Sequence, residues 1–259
     1  MTAEPKILVR DVTKVFPAAA RGGAEFTALG GVSLEIADHE FVTVVGPSGC
    51  GKSTLLNILA GLEEPTGGQV RVDGKDVAGP GPDRGVIFQQ YALFPWLTVR
   101  QNVEFGMRSA GVPKPERRER AEHFIELVGL EGFADALPKT LSGGMKQRCA
   151  IARAYAADPS ILLMDEPFGA LDALTRVRLQ ERLLSTWSAD RRTVLFITHD
   201  VDEAVFLAGR VIVMAARPGR IAEVIDVALP YPRTEEVRLS PAFGALRNRV
   251  WQAVHHQDR

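Results

Sequence analysis

The sequence has few cysteines, no excess of charge of either sign and no long apolar run. Of the 259 residues only Cys50 and Cys149 are cysteines, so no disulfide framework is expected and a reducing, cytoplasmic compartment is favoured. Lys and Arg total 31 against 32 for Asp and Glu. This balance excludes the broad positive surface of a protein that coats nucleic acid, and we expect no nucleic-acid partner.

Membrane-spanning and secretory patterns are also missing from the sequence. The longest stretch without Asp, Glu, Lys or Arg is 85–99, which glutamines and a proline interrupt. It is shorter than the roughly 20 apolar residues that a spanning helix needs. The first six residues lack the basic and then apolar pattern of a signal peptide. The 46% hydrophobic content still allows one compact domain, or a domain with a subdomain, to bury a core.

The clearest local signal is a strand, a glycine-rich turn and a helix. Residues 41–45 form a short β-branched run typical of a strand covered on both faces. A helix is predicted from Lys52 to about Ala60, with Gly61 as its C-terminal cap. The segment between them, from Gly46 to Ser53, fits the pattern G-x-x-x-x-G-K-S. Strand, turn and helix together predict a phosphate-binding loop.

Such a loop wraps phosphate oxygens with backbone N–H groups, and the following helix adds its positive end. We expect Lys52 to neutralise the β and γ phosphates and Ser53 to offer its hydroxyl to Mg²⁺. Cys50 serves as a small residue, although a thiol at a helix N-terminus can have a lowered pKa and be alkylated. The predicted cofactors are ATP and Mg²⁺. The predicted nucleotide contacts here are Gly46, Pro47, Ser48, Gly49, Cys50, Gly51, Lys52, Ser53 and Thr54.

The remaining pattern predicts a largely parallel sheet with an antiparallel edge region and a helical insert. Further strands are predicted at 7–15, 32–36, 67–77, 86–88, 161–164 and 193–197. Helical periodicity dominates between 97 and 157, and further helices are predicted at about 173–187 and 241–254.

Two carboxylates end the apolar run at 161–164. Consecutive strand residues point in different directions, so Asp165 and Glu166 can take different roles. Asp165 is the candidate to hold Mg²⁺ through its water shell. Glu166 is the candidate base that orients or deprotonates the attacking water.

The segment from Leu141 to Gly144, Leu-Ser-Gly-Gly, precedes a predicted helix, and with it the chain resembles the ATP-binding cassette (ABC) family. The resemblance implies an α/β fold: a P-loop NTPase core of the ABC ATPase type, with a mostly parallel sheet, an antiparallel β region and an α-helical insert. It implies one domain over 7–241 that includes a helical subdomain at about 91–157, and a C-terminal helical extension over 242–259.

In the ABC family this signature segment reaches the γ-phosphate that a second copy binds. The resemblance therefore implies an active dimer in which two ATP molecules lie between two subunits. The helix N-terminus suits that contact because its amides are free to donate. The residues concerned are Ser142, Gly143 and Gly144.

Four further residues of this sequence match functional positions of the family. Gln89 matches the Q-loop glutamine that contacts Mg²⁺ or the attacking water, and Asp172 matches the D-loop that packs across the dimer. His199 matches the switch histidine that contacts the γ-phosphate. Phe16 matches the aromatic residue that stacks on adenine, where Tyr is commoner, and Phe26 is a less suitable substitute.

Four stretches look like the nitrate, sulfonate and taurine importer group of the family. That likeness implies separate membrane (permease) subunits, an indirect solute-binding protein outside the membrane, and a peripheral position at the cytoplasmic side of the inner membrane. The solute stays open among nitrate, sulfonate, taurine, bicarbonate and a thiamine precursor. The stretches are 79–85, 93–98, 102–106 and 167–175.

Four bulky apolar residues lie close together just after Gln89: Tyr91, Leu93, Phe94 and Trp96. They either pack locally in the core or, if several stay exposed, form a socket for a coupling helix of a membrane subunit. In the second case ATP would close the dimer, swing the insert through Gln89 and move the socket.

Two other functions compete with import. A non-transport ABC protein that remodels nucleic acid or ribosomes generally brings paired cassettes, long coiled-coil insertions or basic arms, which the sequence lacks. A simple P-loop kinase or GTPase does not carry the signature segment. One departure from the family is the turn at 38–40, Asp-His-Glu, where a Gly-Glu turn is usual, so the shape of this turn is not predicted.

Overall fold

The computed structural model describes residues 4–17 and 25–257. The chain divides into two compact units, residues 1–81 with 187–259 and residues 82–186. The second unit contains the whole stretch 91–157 of the expected helical subdomain and extends beyond it at both ends. Within the described ranges, none of the helices has the length and apolar character needed to cross a membrane.

The first unit contains eight strands and four helices among the described residues, and one further helix, which begins in the second unit, ends in the first. In chain order the elements of the chain are β1 (Ile7–Phe16), β2 (Phe26–Ile36), β3 (Phe41–Val45), α1 (Lys52–Ala60), β4 (Gly67–Val72), β5 (Lys75–Asp76), β6 (Arg84–Ile87), α2 (Val99–Ser109), α3 (Lys114–Leu127), α4 (Gly143–Ala156), β7 (Ile161–Asp165), α5 (Ala173–Ala189), β8 (Thr193–Ile197), α6 (Val201–Leu207), β9 (Arg210–Ala215), β10 (Arg220–Asp226), α7 (Glu235–Arg238) and α8 (Pro241–His255).

Parallel strands form the centre of the first unit. All five residues of β3 and of β8 are buried. Strand β3 pairs in parallel with β8 on one side and with β9 on the other, and β10 adds an antiparallel edge beside β9. A separate antiparallel sheet has the order β2, β1, β4, β5. The predicted combination of parallel strands with an antiparallel region is confirmed.

The second unit combines one parallel strand pair with the helical insert. Strands β6 and β7 pair in parallel. Helix α2 begins at a capping box in which Thr98 accepts from the Gln101 N–H while the Gln101 side chain accepts from the Thr98 N–H. The face that the sequence predicts for α2, Val99, Val103 and Met107, is buried.

Several elements differ from the prediction. Strand β2 begins at Phe26 and is therefore longer than the predicted 32–36. The sequence analysis assigned no structure to α6, β9 and β10. The C-terminal helix α8 matches the predicted 241–254 and packs against α6 and β9 within the first unit.

The turn at 38–40 contains a left-handed residue although it has no glycine. His39 takes a left-handed φ of 62°. Its backbone N–H donates to the Thr193 hydroxyl at 3.0 Å, and its ring nitrogen contacts the carbonyl oxygen of Arg191. These contacts to the start of β8 offset the cost of a left-handed conformation at a residue with a Cβ.

Gly61 ends α1 as predicted. Replacing it tests how much the close approach of this residue to Gly79 contributes to stability. Its φ is 74°, and a Cβ there would lie 2.1 Å from the carbonyl oxygen of Gly79. Gly31 also has a positive φ of 88°, but a Cβ there would meet nothing within 4 Å. We expect Gly31→Ala to lower the free energy of unfolding by about 1–2 kcal/mol through backbone strain alone. Gly61→Ala should cost at least ~1 kcal/mol more, because the backbone at Gly79 must also move.

Urea denaturation of the two variants and the parent chain measures the loss of unfolding free energy in each variant. Equal losses in the two variants would show that the approach to Gly79 is not a tight packing contact.

Candidate functional site

The phosphate loop lies in the first unit, between the buried end of β3 and the start of α1. Its last residue, Gly51, has a φ of 92°, and a Cβ there would lie 2.8 Å from the carbonyl oxygen of Ala28. Only glycine fits that backbone and that distance. The strand and helix boundaries, 41–45 and 52–60, are those that the sequence predicts.

Lys52 holds the loop from inside. Its side chain is only 9% exposed, and its ammonium group donates to the carbonyl oxygens of Gly46 at 2.8 Å and Pro47 at 2.9 Å. A buried ammonium needs such partners because desolvation is costly. The cation is thereby fixed at the first turn of α1, next to the exposed side chain of Ser53 and the partly exposed Thr54. Ser48 and Gly49 form the exposed outer part of the loop.

The Cys50 thiol does not have the lowered pKa that a helix N-terminus can give. It is fully buried, and burial raises its pKa although the neighbouring Lys52 ammonium, 3.6 Å from Sγ, acts in the opposite direction. Cys149 in α4 is also buried, and burial raises the pKa of its thiol to about 12. Both thiols therefore stay protonated at neutral pH.

His199 belongs to the same edge of the same sheet as the phosphate loop. Strands β3 and β8 run in parallel with Val44 opposite Ile197, so the segments that follow them leave the sheet on the same side. The Thr198 hydroxyl accepts from the Asp200 N–H at 3.0 Å, and the Asp200 carboxylate caps α6. These bonds fix the turn that carries the exposed His199 side chain.

The first unit also places both candidates for stacking on adenine. Phe16 and Phe26 are opposite each other at the end of the β1 and β2 ladder. Phe26 is exposed, whereas Phe16 is partly buried with the Lys14 ammonium 4.9 Å from its ring centre. The Lys14 ammonium thus makes a cation–π contact with Phe16.

The second unit carries the carboxylates and the glutamine. Strands β6 and β7 are parallel with Ile87 opposite Met164, so Gln89 and the pair Asp165 and Glu166 follow at the same edge. The Gln89 side-chain amide donates to the Glu166 carboxylate at 3.3 Å. Glu166 itself has a φ of 45°, a costly conformation for a residue other than glycine that recurs at functional sites.

The predicted signature and D-loop residues lie at the starts of α4 and α5 in the second unit. Ser142 caps α4, with its hydroxyl accepting from the Met145 N–H at 3.3 Å. Gly143 and Gly144 form the first turn of that helix. Asp172 accepts from the Thr175 N–H at 3.0 Å in the first turn of α5, and this hydrogen bond lowers the pKa of its carboxyl.

The loop after Gln89 has an anchor that the sequence analysis missed. The Arg153 guanidinium, in α4, donates to the carbonyl oxygens of Ala92 at 2.8 Å and Tyr91 at 3.4 Å. The buried Asn102 amide donates to the carbonyl oxygen of Phe94 at 3.2 Å. No periodic or motif signal points to these side-chain to backbone bonds, since both partners become neighbours only in the folded unit.

Of the four bulky residues in this loop, only Trp96 is largely exposed, at 72%. Tyr91, Leu93 and Phe94 are partly buried. Phe94 lies between Phe105, at 4.3 Å between ring centres, and Trp96, at 5.8 Å. Phe94 packs locally, and Trp96 is the one residue of these four with a largely exposed apolar face, so the condition set for a socket, several exposed residues, is not met.

This fold and these motifs define an ATPase with a phosphate loop. The ABC transporter family model matches residues 29–169, just over half of the chain. The chain belongs to the ABC transporter family and is an ABC-type ATPase, as the signature segment predicts.

Relatives extend the similarity over nearly the whole chain. A putative ATP-binding protein of Brucella abortus is 68% identical, over 98% of this chain and 95% of its own length. The nitrate import ATP-binding protein NrtD of Synechocystis is 49% identical, over 91% of this chain and 90% of its own length. The bicarbonate transport ATP-binding protein CmpC of Synechococcus elongatus is 48% identical, over 98% of this chain and 38% of its own length.

A solved structure shares the fold. It is the dimeric, post-hydrolysis state of an ATP-binding cassette bound to ADP and Pi. It aligns with a TM-score of 0.76 and 35% identity, covering 86% of this chain and all of that chain. The fold class predicted from the sequence is thus confirmed.

The buried thiols predict slow chemical labelling. Because the thiolate is the reacting species, neither Cys50 nor Cys149 should react with a disulfide reagent such as DTNB at neutral pH in the time in which both react in urea. The Cys149→Ser variant isolates Cys50. Fast labelling of that native variant would mean that the phosphate loop opens and frees the thiol.

Proposed function

We propose that this chain is the ATP-hydrolysing subunit of an importer and drives uptake of a small solute through separate membrane subunits. The observation that carries the proposal is the near full-length similarity to a nitrate import protein, together with the hydrogen bond between Gln89 and Glu166. In this proposal the protein binds at the cytoplasmic face of the inner membrane, and a solute-binding protein outside the membrane delivers the solute.

ATP binding is assigned first to the phosphate loop. Its amides and the Lys52 ammonium face the phosphates, and a buried cation already held by two carbonyl oxygens loses little conformational freedom on binding. Phe16 stacks on the adenine. Mg²⁺, when bound, neutralises phosphate charge, and we assign it to the oxygen donors of Ser53, Gln89 and Asp165, the ligand type that this ion prefers.

Hydrolysis is assigned to Glu166, Gln89 and His199. The Glu166 carboxylate accepts a proton from water as the water oxygen forms a bond to the γ-phosphorus, and the bond from that phosphorus to the ADP oxygen breaks. Gln89 orients the carboxylate through the bond that it already donates. His199 contacts the γ-phosphate, and the products are ADP and phosphate.

A Glu166→Gln variant tests this assignment. Removing the base should lower the rate of ATP hydrolysis by about 10²- to 10⁴-fold, while the affinity for ATP stays within a few fold. Glu119→Gln, on the exposed surface of α3, makes the same change of charge away from the motifs and should keep the parental rate. Phosphate release and nucleotide titration measure the two quantities. A Glu166→Gln enzyme with the parental rate would contradict the role of Glu166.

We also assign the active form to a dimer of this chain. Ser142, Gly143, Gly144 and Asp172 then contact the nucleotide held by the second copy, as their place in the family pattern implies. The 74% exposed side chain of Leu174, just after Asp172, supports a subunit contact here, because a bulky apolar side chain gains free energy when it is covered.

The membrane subunit is assigned to the surface around Trp96. This side chain is the largest exposed apolar group in the loop that follows Gln89, and Arg153 and Asn102 hold that loop in place. A rigid backbone under an exposed aromatic residue is typical of an interface anchor. The solute proposed for the system is small, such as nitrate, sulfonate, taurine, bicarbonate or a thiamine precursor, and the two named transport relatives favour nitrate or bicarbonate.

The Trp96→Ala variant tests the transport assignment. We expect it to lose co-purification with the membrane subunits and to lower nitrate or bicarbonate uptake at least ~10-fold, since an aromatic anchor contributes 2 kcal/mol or more in typical interfaces. Trp251→Ala is the matched control, because Trp251 in α8 is also exposed, at 52%. Thermal midpoints check that both variants fold. Normal assembly and uptake with Trp96→Ala would contradict this docking surface.

A further inference from the structure

The second unit contains a polar cleft whose lining includes none of the residues assigned to ATP. It has a cavity volume of about 150 Å³. Pockets for drug-sized ligands usually hold roughly 300–1,000 Å³, so this cleft suits a small ion. Its lining comes from the end of α3, from α4 and from α5: Val128, Gly129, Arg148, Thr175, Arg178, Leu179 and Arg182.

The lining of this cleft carries an excess of positive charge, although the carboxylates of Asp172 and Glu131 act on Arg148 from outside the lining. Three of the lining residues, Arg148, Arg178 and Arg182, are arginines, and none of the lining residues is acidic. Among residues 4–17 and 25–257, no ion pair joins a carboxylate to any of the three guanidinium groups. Arg178 and Arg182 also stand four residues apart on α5, a spacing at which like charges repel.

Capping of α3 explains only part of this cluster. Arg148 Nη1 donates to the carbonyl oxygens of Val128 and Gly129, both at 2.9 Å, and Arg182 Nη1 donates to that of Leu127 at 2.6 Å. Cations are favoured at the C-terminal end of a helix, so these bonds have a structural purpose.

The capping bonds use neither Arg148 Nε nor the guanidinium group of Arg178. Arg148 Nε is buried and has no hydrogen-bond partner among the described residues. Arg178 is exposed and makes no hydrogen bond within the described part of the chain. A buried donor without a partner is costly, and a third cation is not needed to cap α3.

We propose that this cleft binds a small tetrahedral oxyanion, inorganic phosphate or sulfate. Guanidinium groups bind such oxyanions with paired N–H donors, and the Thr175 hydroxyl adds one further donor. The anion places negative charge beside the three guanidinium groups and joins α4, which begins after Ser142, to α5, which follows Asp172. Binding therefore stabilises the folded second unit, since a ligand that binds only the folded state raises its stability. The proposal does not depend on transport.

Thermal unfolding in sulfate against chloride at equal ionic strength tests the site. The parent chain and Arg178→Gln both keep the phosphate loop, so any sulfate bound there affects them alike. Arg220→Gln, on the exposed surface of β10, is the control for loss of one arginine charge. We expect saturating sulfate to raise the midpoint of the parent and of Arg220→Gln by at least ~2 °C more than that of Arg178→Gln. Inorganic phosphate should give the same order.

The chloride measurement separates a binding role from a structural one. Without a bound oxyanion, Arg178→Gln removes repulsion from Arg182, so its midpoint in chloride should equal or exceed that of the parent. An equal rise in sulfate for the parent and for Arg178→Gln would overturn the proposal. A loss of stability in chloride with no change in the response to sulfate would assign Arg178 a purely structural role and would also overturn it.

Discussion

Complete burial of the short parallel strands constrains everything else in the first unit. A strand without solvent on either face must pair every backbone N–H and C=O group inside the protein. Strand β3 does so with β8 and β9, and parallel pairing brings the ends of β3 and β8 to one edge. The phosphate loop and the turn of His199 therefore emerge together. Parallel pairing of β6 and β7 likewise brings Gln89 and Glu166 together in the second unit.

Burial then determines the charge state of the side chains in the phosphate loop. The Lys52 ammonium is buried, and it donates hydrogen bonds to two carbonyl oxygens of the loop. Because these acceptors are neutral, the hydrogen bonds fix the position of the positive charge without neutralising it. The same burial acts on the adjacent thiol in the opposite sense, because it favours the neutral form of Cys50. One loop thus combines an available cation with an unreactive cysteine.

The sequence predicts an element well where a short segment contains the residue pattern of a strand or a helix. The bounds of β3, α1 and β8 follow from β-branched apolar runs and from the glycines around the helix. Strands β9 and β10, which lie outside the predicted elements, carry similar signals, an apolar run and an alternating pattern. Helix α6 has only seven residues, too few for a helical period to stand out.

The sequence by itself determined the chemistry of the phosphate loop, the pair of carboxylates and the family, because each depends on residue types at fixed local spacing. Only the tertiary structure decided the state of Cys50, the anchoring of the Trp96 loop by Arg153 and Asn102, and the gathering of three arginines around one cleft. Those features depend on burial and on partners far apart in the chain. Desolvation and side-chain hydrogen bonds arise only when folding brings such groups together, and no local pattern records them.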